Sequence, residues 1–268
     1  MLDLSGTDYS ALDVPEVLLR LFHPRPESGL AAFSPAVQDL LISVADNAAV
    51  GANFHMGELA APTLLFFHGN GEIVADYDEL APFFLRLRIN FIPVDYRGYG
   101  RSTGSPTVSA MMQDCHKIFA FVREWLPEQG YTGPLIVMGR SLGSASALEL
   151  AASYPDQVSG LIVESGFAFA GPLLQLLGVN LGAIGFREKA GFRNVDKIKA
   201  YPGPTLIIHA EHDHIIPLSD GIALFNASRA QDKTLLKIPH ANHNDILLQG
   251  FAEYMAAIKE LTDKIRRT

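Results

Sequence analysis

From Thr63 to Pro239, short apolar runs alternate with stretches of helical character, and this alternation is what most constrains the fold. The runs are Thr63 to Phe67, Asn90 to Tyr96, Leu135 to Gly139, Gly160 to Glu164, Pro204 to Ala210 and Thr234 to Pro239. Thr63 to Phe67 and Leu135 to Gly139 are apolar on consecutive residues rather than on every second one and read as strands buried on both faces, and the other runs read as strands. Between them, Glu72 to Arg88, Val108 to Trp125, a stretch from Ser144 to about Tyr154-Pro155, and Ser219 to Ala227 read as helices, and Asp245 to Ile265 closes the chain as another. Strands and helices in this order imply an α/β fold with a parallel sheet covered on both sides. Ahead of it, Val14 to Ile42 reads as short helix, loop and strand. Leu40 to Ala45 and Ala48 to His55 read as two strands around a turn at Asp46-Asn47. Residues 166–200 form an insertion, apolar first and then basic, in what is expected to be a single domain over residues 1–268.

Ligands of such sheets bind beyond the carboxyl ends of the strands, so the residues just after each strand carry the functional information. After Leu135 to Met138 comes Gly139-Arg140-Ser141-Leu142-Gly143, followed by the small-residue helix Ser144 to Ala151. A serine between two glycines at a strand-to-helix turn is a nucleophile elbow. The turn is too tight for a Cβ at the glycines, and the helix N-terminus beneath the hydroxyl favours a developing anion. After the first parallel strand, His68-Gly69-Asn70-Gly71-Glu72 exposes backbone N–H groups. The N–H of Asn70, with that of Leu142, is the candidate oxyanion pair. After the strand ending at Ala210 comes Glu211-His212-Asp213-His214, where Asp213 stands at the position of an orienting acid and Glu211 and Glu164 are competitors. After the last strand, His240 and His243 are both candidate bases; His243, just before Asn244-Asp245 at the start of the final helix, is favoured. Asp95-Tyr96-Arg97-Gly98-Tyr99-Gly100 is expected to be a loop held by its own ion pairs and hydrogen bonds.

Composition excludes several classes. The 268 residues carry a formal charge of −8 and no block of Lys or Arg, which argues against a nucleic-acid partner. The single cysteine, Cys115, excludes an intramolecular disulfide and a cysteine-based metal site, and it fits a cytoplasmic setting. No cofactor or metal is expected. Met1 to Tyr9 carries acids and no basic stretch before an apolar core, so no secretory leader is expected. Gly166 to Phe186 has the length of a membrane span and no charged residue. A span there would separate Ser141 from Asp213 and His243, so no transmembrane segment is expected. Instead Phe167, Leu173 and Leu177 are expected to roof an apolar substrate pocket, with core packing as the alternative.

Over about residues 60–265 the chain resembles the α/β-hydrolase superfamily. The resemblance rests on His68-Gly69-Asn70, Asp95 to Gly100, Gly139 to Gly143 and His243-Asn244-Asp245, and on the chain order Ser141, Asp213, His243. Together these look like the small-lid serine hydrolase branch that includes the α/β-hydrolase-domain depalmitoylases and serine aminopeptidase-like bacterial proteins. The resemblance implies a mostly parallel eight-stranded sheet with a small lid insertion. It implies Ser141 as nucleophile, His243 as base, Asp213 as orienter, and Asn70 and Leu142 as oxyanion donors. The activity it implies is hydrolysis of a small-molecule acyl ester or thioester through an acyl-enzyme. The depalmitoylases carry an N-terminal cysteine cluster that this sequence does not show, so palmitoylated proteins are not the expected substrate. An aminopeptidase acting on small peptides, with Glu164 or Glu72 holding the free amine, is one alternative. A ligand-binding scaffold without activity is the other.

Overall fold

The strands form where the apolar runs lie. They are β1 (Val37–Ala45), β2 (Ala48–His55), β3 (Thr63–Phe67), β4 (Asn90–Val94), β5 (Leu135–Arg140), β6 (Gly160–Glu164), β7 (Thr205–Ala210) and β8 (Lys233–Ile238) in a computed structural model that describes residues 7–28 and 37–267. The expectations for Met1 to Tyr9 and for Val14 to Ile42 fall partly outside those residues. The strands make one sheet in the order β1-β2-β4-β3-β5-β6-β7-β8. The first two are antiparallel, and β3 to β8 run parallel. The change of strand order at β3 and β4 sends successive crossover helices to different faces of the sheet.

Alternate residues of each inner strand feed two cores. Leu65, Phe67, Val137 and Ile207 face the first, which is covered by α1 (Pro15–Leu21), α3 (Val108–Glu128), α4 (Ser144–Ser153), α6 (Asn194–Ala200) and α7 (Leu218–Ala227). Leu64, Phe66, Ile136, Met138 and Ile208 face the second, covered by α2 (Ala81–Arg86) and α8 (Ile246–Ile265). Burial on both faces is why these strands read as continuous apolar runs.

One expected helix is different. Glu72 to Arg88 is not continuous: Glu72 lies in a loop, Val74–Tyr77 is a single tight turn, and α2 begins only at Ala81. Two local effects break it. The Asp76 carboxylate accepts from the Ile73 N–H at 3.0 Å and starts the first turn, and Pro82, lacking an N–H, is tolerated only in the opening turn of a helix.

The insertion divides between two roles. Its latter part, α6, packs on α4 through a fully buried ion pair, with Lys197 Nζ 2.7 Å from Glu149 Oε2. Glu149 also accepts from the Tyr9 hydroxyl at 2.8 Å and lies 3.3 Å from His116 Nε2. Burial raises the Glu149 carboxyl, but His116, Lys197 and Tyr9 outweigh it and bring it down to about 2. Its earlier part, α5 (Ala170–Leu176), buries Ala170 and Leu174, with Phe167 buried just ahead of it, and leaves Phe169 and Leu176 exposed. Among the described residues no helix is long and apolar enough to cross a membrane. Removing one partner of a buried pair leaves the other charge uncompensated. Lys197→Met should therefore lower unfolding free energy by roughly 3–5 kcal/mol in urea titration. The double variant Lys197→Met/Glu149→Gln should recover most of that loss.

Candidate active site

The strand ends align, so the loops after them share one edge of the sheet. Phe67 pairs with Gly139, Arg140 with Glu164, and Ala210 with Ile238. Beyond β5 the chain turns at once into α4, and Ser141 takes a left-handed φ of +51°. That conformation costs a non-glycine residue energy and has to be imposed by its surroundings. The surroundings are tight. A Cβ at Gly139 would lie 2.2 Å from the Gly143 carbonyl oxygen, and one at Gly143 would lie 2.1 Å from the Phe67 carbonyl oxygen. The Ser144 hydroxyl donates to the Ser141 carbonyl at 2.6 Å and ties off the turn.

The turn delivers the Ser141 hydroxyl to His243, whose Nε2 lies 3.0 Å from Oγ. His243 Nδ1 lies 2.7 Å from Asp213 Oδ2. A carboxylate can only accept, so Nδ1 carries the proton and Nε2 offers its lone pair to the serine hydroxyl. Asp213 is itself positioned by its loop, because Oδ1 accepts from the N–H groups of Ile215 at 3.0 Å and Ile216 at 2.8 Å. Burial pushes its carboxyl up, but the bond from His243 and the two backbone donors outweigh burial and hold it below the ordinary carboxylate range. Behind it, the fully buried His209 lies 2.9 Å from the Ile216 carbonyl through Nε2, and burial lowers its pKa. A neutral His209 therefore donates to that carbonyl and steadies the turn that carries the acid.

The other candidates lie elsewhere. His240 is exposed, with its N–H donating to Glu211 Oε2 at 3.0 Å, while Glu211 Oε1 pairs with Lys237 at 2.6 Å. Neither reaches Ser141 or His243 by a hydrogen bond. Asn70 sits on the loop beside the elbow, and its side chain is taken up structurally: Oδ1 accepts from the His23 N–H at 2.8 Å and the Tyr99 hydroxyl at 2.7 Å. Among the turn and loop hydrogen bonds of the described residues, neither the Asn70 nor the Leu142 backbone N–H donates. In the loop after β4, Arg97 meets Asp114 with two bonds of 2.7 Å, and Asp95 lies 3.1 Å from His68 Nε2.

Sequence reasoning gave Arg140 no role and weighed Glu164 and Glu72 only as a competing acid or as holders of a substrate amine. Arg140 Nη1 lies 2.5 Å from Glu72 Oε1, and Nε lies 3.1 Å from Glu164 Oε1. Its Nη2 donates to the His243 carbonyl at 2.8 Å. Glu164 Oε2 accepts from the Tyr254 hydroxyl at 2.7 Å, and Glu72 Oε2 accepts from the Tyr77 hydroxyl and the Gly69 N–H at 2.6 Å each. Burial raises the Glu164 carboxyl against the opposing pull of Arg140. The available signal was the placement of a charge at the last residue of one buried strand and an acid at the last residue of the next.

An apolar pocket of about 290 Å³ opens beside the acid. Phe167, Phe169, Leu173 and Leu176 line it from the insertion, Ile215 and Pro217 from the loop after β7, and Asp213 forms part of the wall. Of the three expected substrate contacts, Phe167 and Leu173 line this pocket and Leu177 does not. Leu177 is partly buried against the first core, and its carbonyl accepts from Arg20 at 3.1 Å. The pocket takes Leu176, the last residue of α5, instead.

Comparison with known proteins agrees with this architecture. A family model described as serine aminopeptidase, S33, matches residues 60–183. Human α/β hydrolase domain-containing protein 17B is 30% identical over 213 residues, covering 75% of this chain and 66% of that protein. Protein bem46 of Schizosaccharomyces pombe is 29% identical over 204 residues, covering 73% of this chain and 66% of its own length. This chain belongs to the α/β-hydrolase superfamily. It spans slightly less than two thirds of the length of these relatives. An esterase of Pyrococcus furiosus shares the fold, with a TM-score of 0.70 at 16% identity over 90% of this chain and 98% of that one.

The lowered Asp213 carboxyl makes the fold sensitive to acid. A group depressed in the folded state contributes stability that is fully present above its unfolded value, about 3.9 for Asp, and is lost as pH falls through the lower folded value. Wild-type protein should therefore lose stability more steeply below about pH 4 than Asp213→Asn, which has no carboxyl to protonate. Urea midpoints measured from pH 6 down to pH 3 check this.

Proposed function

We propose that this protein is a serine hydrolase that cleaves acyl esters or thioesters of small molecules through a Ser141–His243–Asp213 triad. The observation that carries the reading is the unbroken hydrogen-bonded row, 3.0 Å from Ser141 to His243 and 2.7 Å from His243 to Asp213, with a strained elbow at its head. In this reading His243 Nε2 takes the Ser141 proton as Oγ attacks the acyl carbon. The carbonyl π electrons move onto oxygen, where the Asn70 and Leu142 N–H groups receive the charge. Collapse of the tetrahedral adduct breaks the bond to the alcohol or thiol, which leaves with the proton from His243. Water, deprotonated by the same imidazole, then attacks the acyl-enzyme and restores Ser141. Asp213 holds the imidazole tautomer and balances the imidazolium.

The acyl chain fits the pocket of Phe167, Leu173 and Leu176, which adjoins the triad at Asp213. Its apolar walls favour a hydrocarbon over a charged acyl group. The peptide-cleaving alternative needs an unengaged carboxylate for a free amine. Glu72 and Glu164, the acids nearest the elbow, are both bonded to Arg140, which counts against it. A scaffold without activity would have no use for the strained turn at Ser141.

A fluorophosphonate probe should label Ser141, and Ser141→Ala should abolish labelling with the melting temperature retained. His243→Ala and Asp213→Asn should each cut turnover roughly 10⁴-fold or more, while His240→Ala should leave it nearly intact. Labelling that survives in Ser141→Ala rejects the nucleophile.

Substrate preference is tested separately. For p-nitrophenyl esters, kcat/KM should rise from acetate by about fourfold per added methylene, the equivalent of about 0.8 kcal/mol, and then level off as the pocket fills. Leu173→Asp or Leu176→Asp should flatten that rise and spare acetate. A panel that includes acyl-CoA thioesters and aminoacyl amides separates ester, thioester and peptide cleavage. A preference for acetate over every longer chain would remove the acyl pocket from the reading.

A further inference from the structure

Arg140 is the residue next to the elbow serine, yet its side chain is only 11% exposed and points away from bulk water into the network described above. A buried guanidinium is costly unless its donors are matched, and here they are matched in three directions. Two of these directions are loops of the site and the third is the end of the neighbouring strand. Nη2 holds the main chain of the His243 loop at 2.8 Å. Nη1 holds Glu72, whose other oxygen receives the Gly69 N–H at 2.6 Å, one residue before Asn70. Nε holds Glu164 at the end of the neighbouring strand, and Tyr254 of α8 braces that carboxylate from beyond at 2.7 Å.

We infer that Arg140 is the positioning residue of this site: one guanidinium that locks the loop of the base and the loop of the oxyanion donor onto the elbow. The inference rests on the reading of Ser141, His243 and Asp213 as a triad. It touches no reacting atom itself. Its contribution is to fix the His243 main chain, so that the imidazole meets both Ser141 and Asp213 at bonding distance. Glu72 and Glu164 are present to hold Arg140. The cavity of about 210 Å³ lined by Arg140, Glu72, Glu164 and Tyr254 is the space on the far side of this network, and each oxygen of its two glutamates is already engaged. Lysine is not an equivalent replacement. A single ammonium at the end of a flexible stem can neutralise the two carboxylates but cannot present the planar fork that also reaches the His243 carbonyl.

The test compares Arg140→Lys with Arg140→Met/Glu72→Gln/Glu164→Gln, which removes the buried charges together and so keeps the fold if the lysine variant does not. Two readouts are taken. The first is the downfield proton resonance of His243 Nδ1–H, held by Asp213, measured on the protein alone. The second is kcat and KM for p-nitrophenyl acetate. In a variant that keeps its melting temperature, the resonance should broaden or vanish. Its kcat should fall roughly a hundredfold, the cost of a small misplacement of a catalytic group, with KM little changed. A folded variant that keeps both the resonance and full kcat overturns the inference. The resonance does not require turnover. Its loss in the variants of a wild-type protein that cleaves no ester would leave the clamp standing and reject the triad reading instead.

Discussion

Everything at the candidate site depends on a close approach of two pieces of backbone. Gly143 lies so near the Phe67 and His68 carbonyls that no side chain fits between them. That contact presses the start of α4 against the end of β3 and leaves Ser141 no room except the left-handed region. The same contact brings the loop that follows β3, and carries Asn70, up against the elbow, because β3 and β5 are neighbouring strands in register. A relaxed turn would release the strain at Ser141 and lose the alignment with His243 together.

Around that turn and behind it the protein buries several charges in pairs and clusters. Arg140 sits between Glu72 and Glu164, Lys197 against Glu149, and Asp213 beneath His243. Such pairs contribute little net stability compared with apolar residues of the same volume, but they are demanding about geometry. They stand where loops and helices must keep a fixed relation: the Lys197 pair fastens α6 to α4, and the Arg140 cluster joins the elbow to α8 through Tyr254. The insertion follows the same division. Its buried side, with Phe167 and Leu174, completes the first core, and its open side, with Leu173 and Leu176, walls the pocket beside Asp213.

Much of this was legible in the chain. Strands buried on both faces announce themselves as apolar runs, so six parallel strands could be placed within a residue or two, and Thr63–Phe67 and Gly160–Glu164 without error. Ser141, Asp213 and His243 were legible for the same reason, since residues after the strands of a parallel sheet must gather at one edge. The break between Glu72 and Ala81 was harder. Its helical periodicity is real, but an Asp76 cap and a proline at the start of a turn outweigh periodicity locally. Leu177 was misplaced by one position because an all-apolar segment carries no mark of which face turns outward.

The sequence by itself determined the layered α/β fold, the elbow and the order of the candidate side chains. These depend on local patterns: apolar runs, glycines where a Cβ cannot fit, and residues at strand ends. Only the tertiary structure decided that His243 rather than His240 meets the serine, and that Asp213 rather than Glu211 or Glu164 holds the imidazole. It alone showed that Arg140 turns inward to join two loops and the end of β6. The reason is physical. Which of several like groups bonds to which is settled by distances between residues far apart in the chain, about a hundred positions from Arg140 to His243, and no local pattern encodes them.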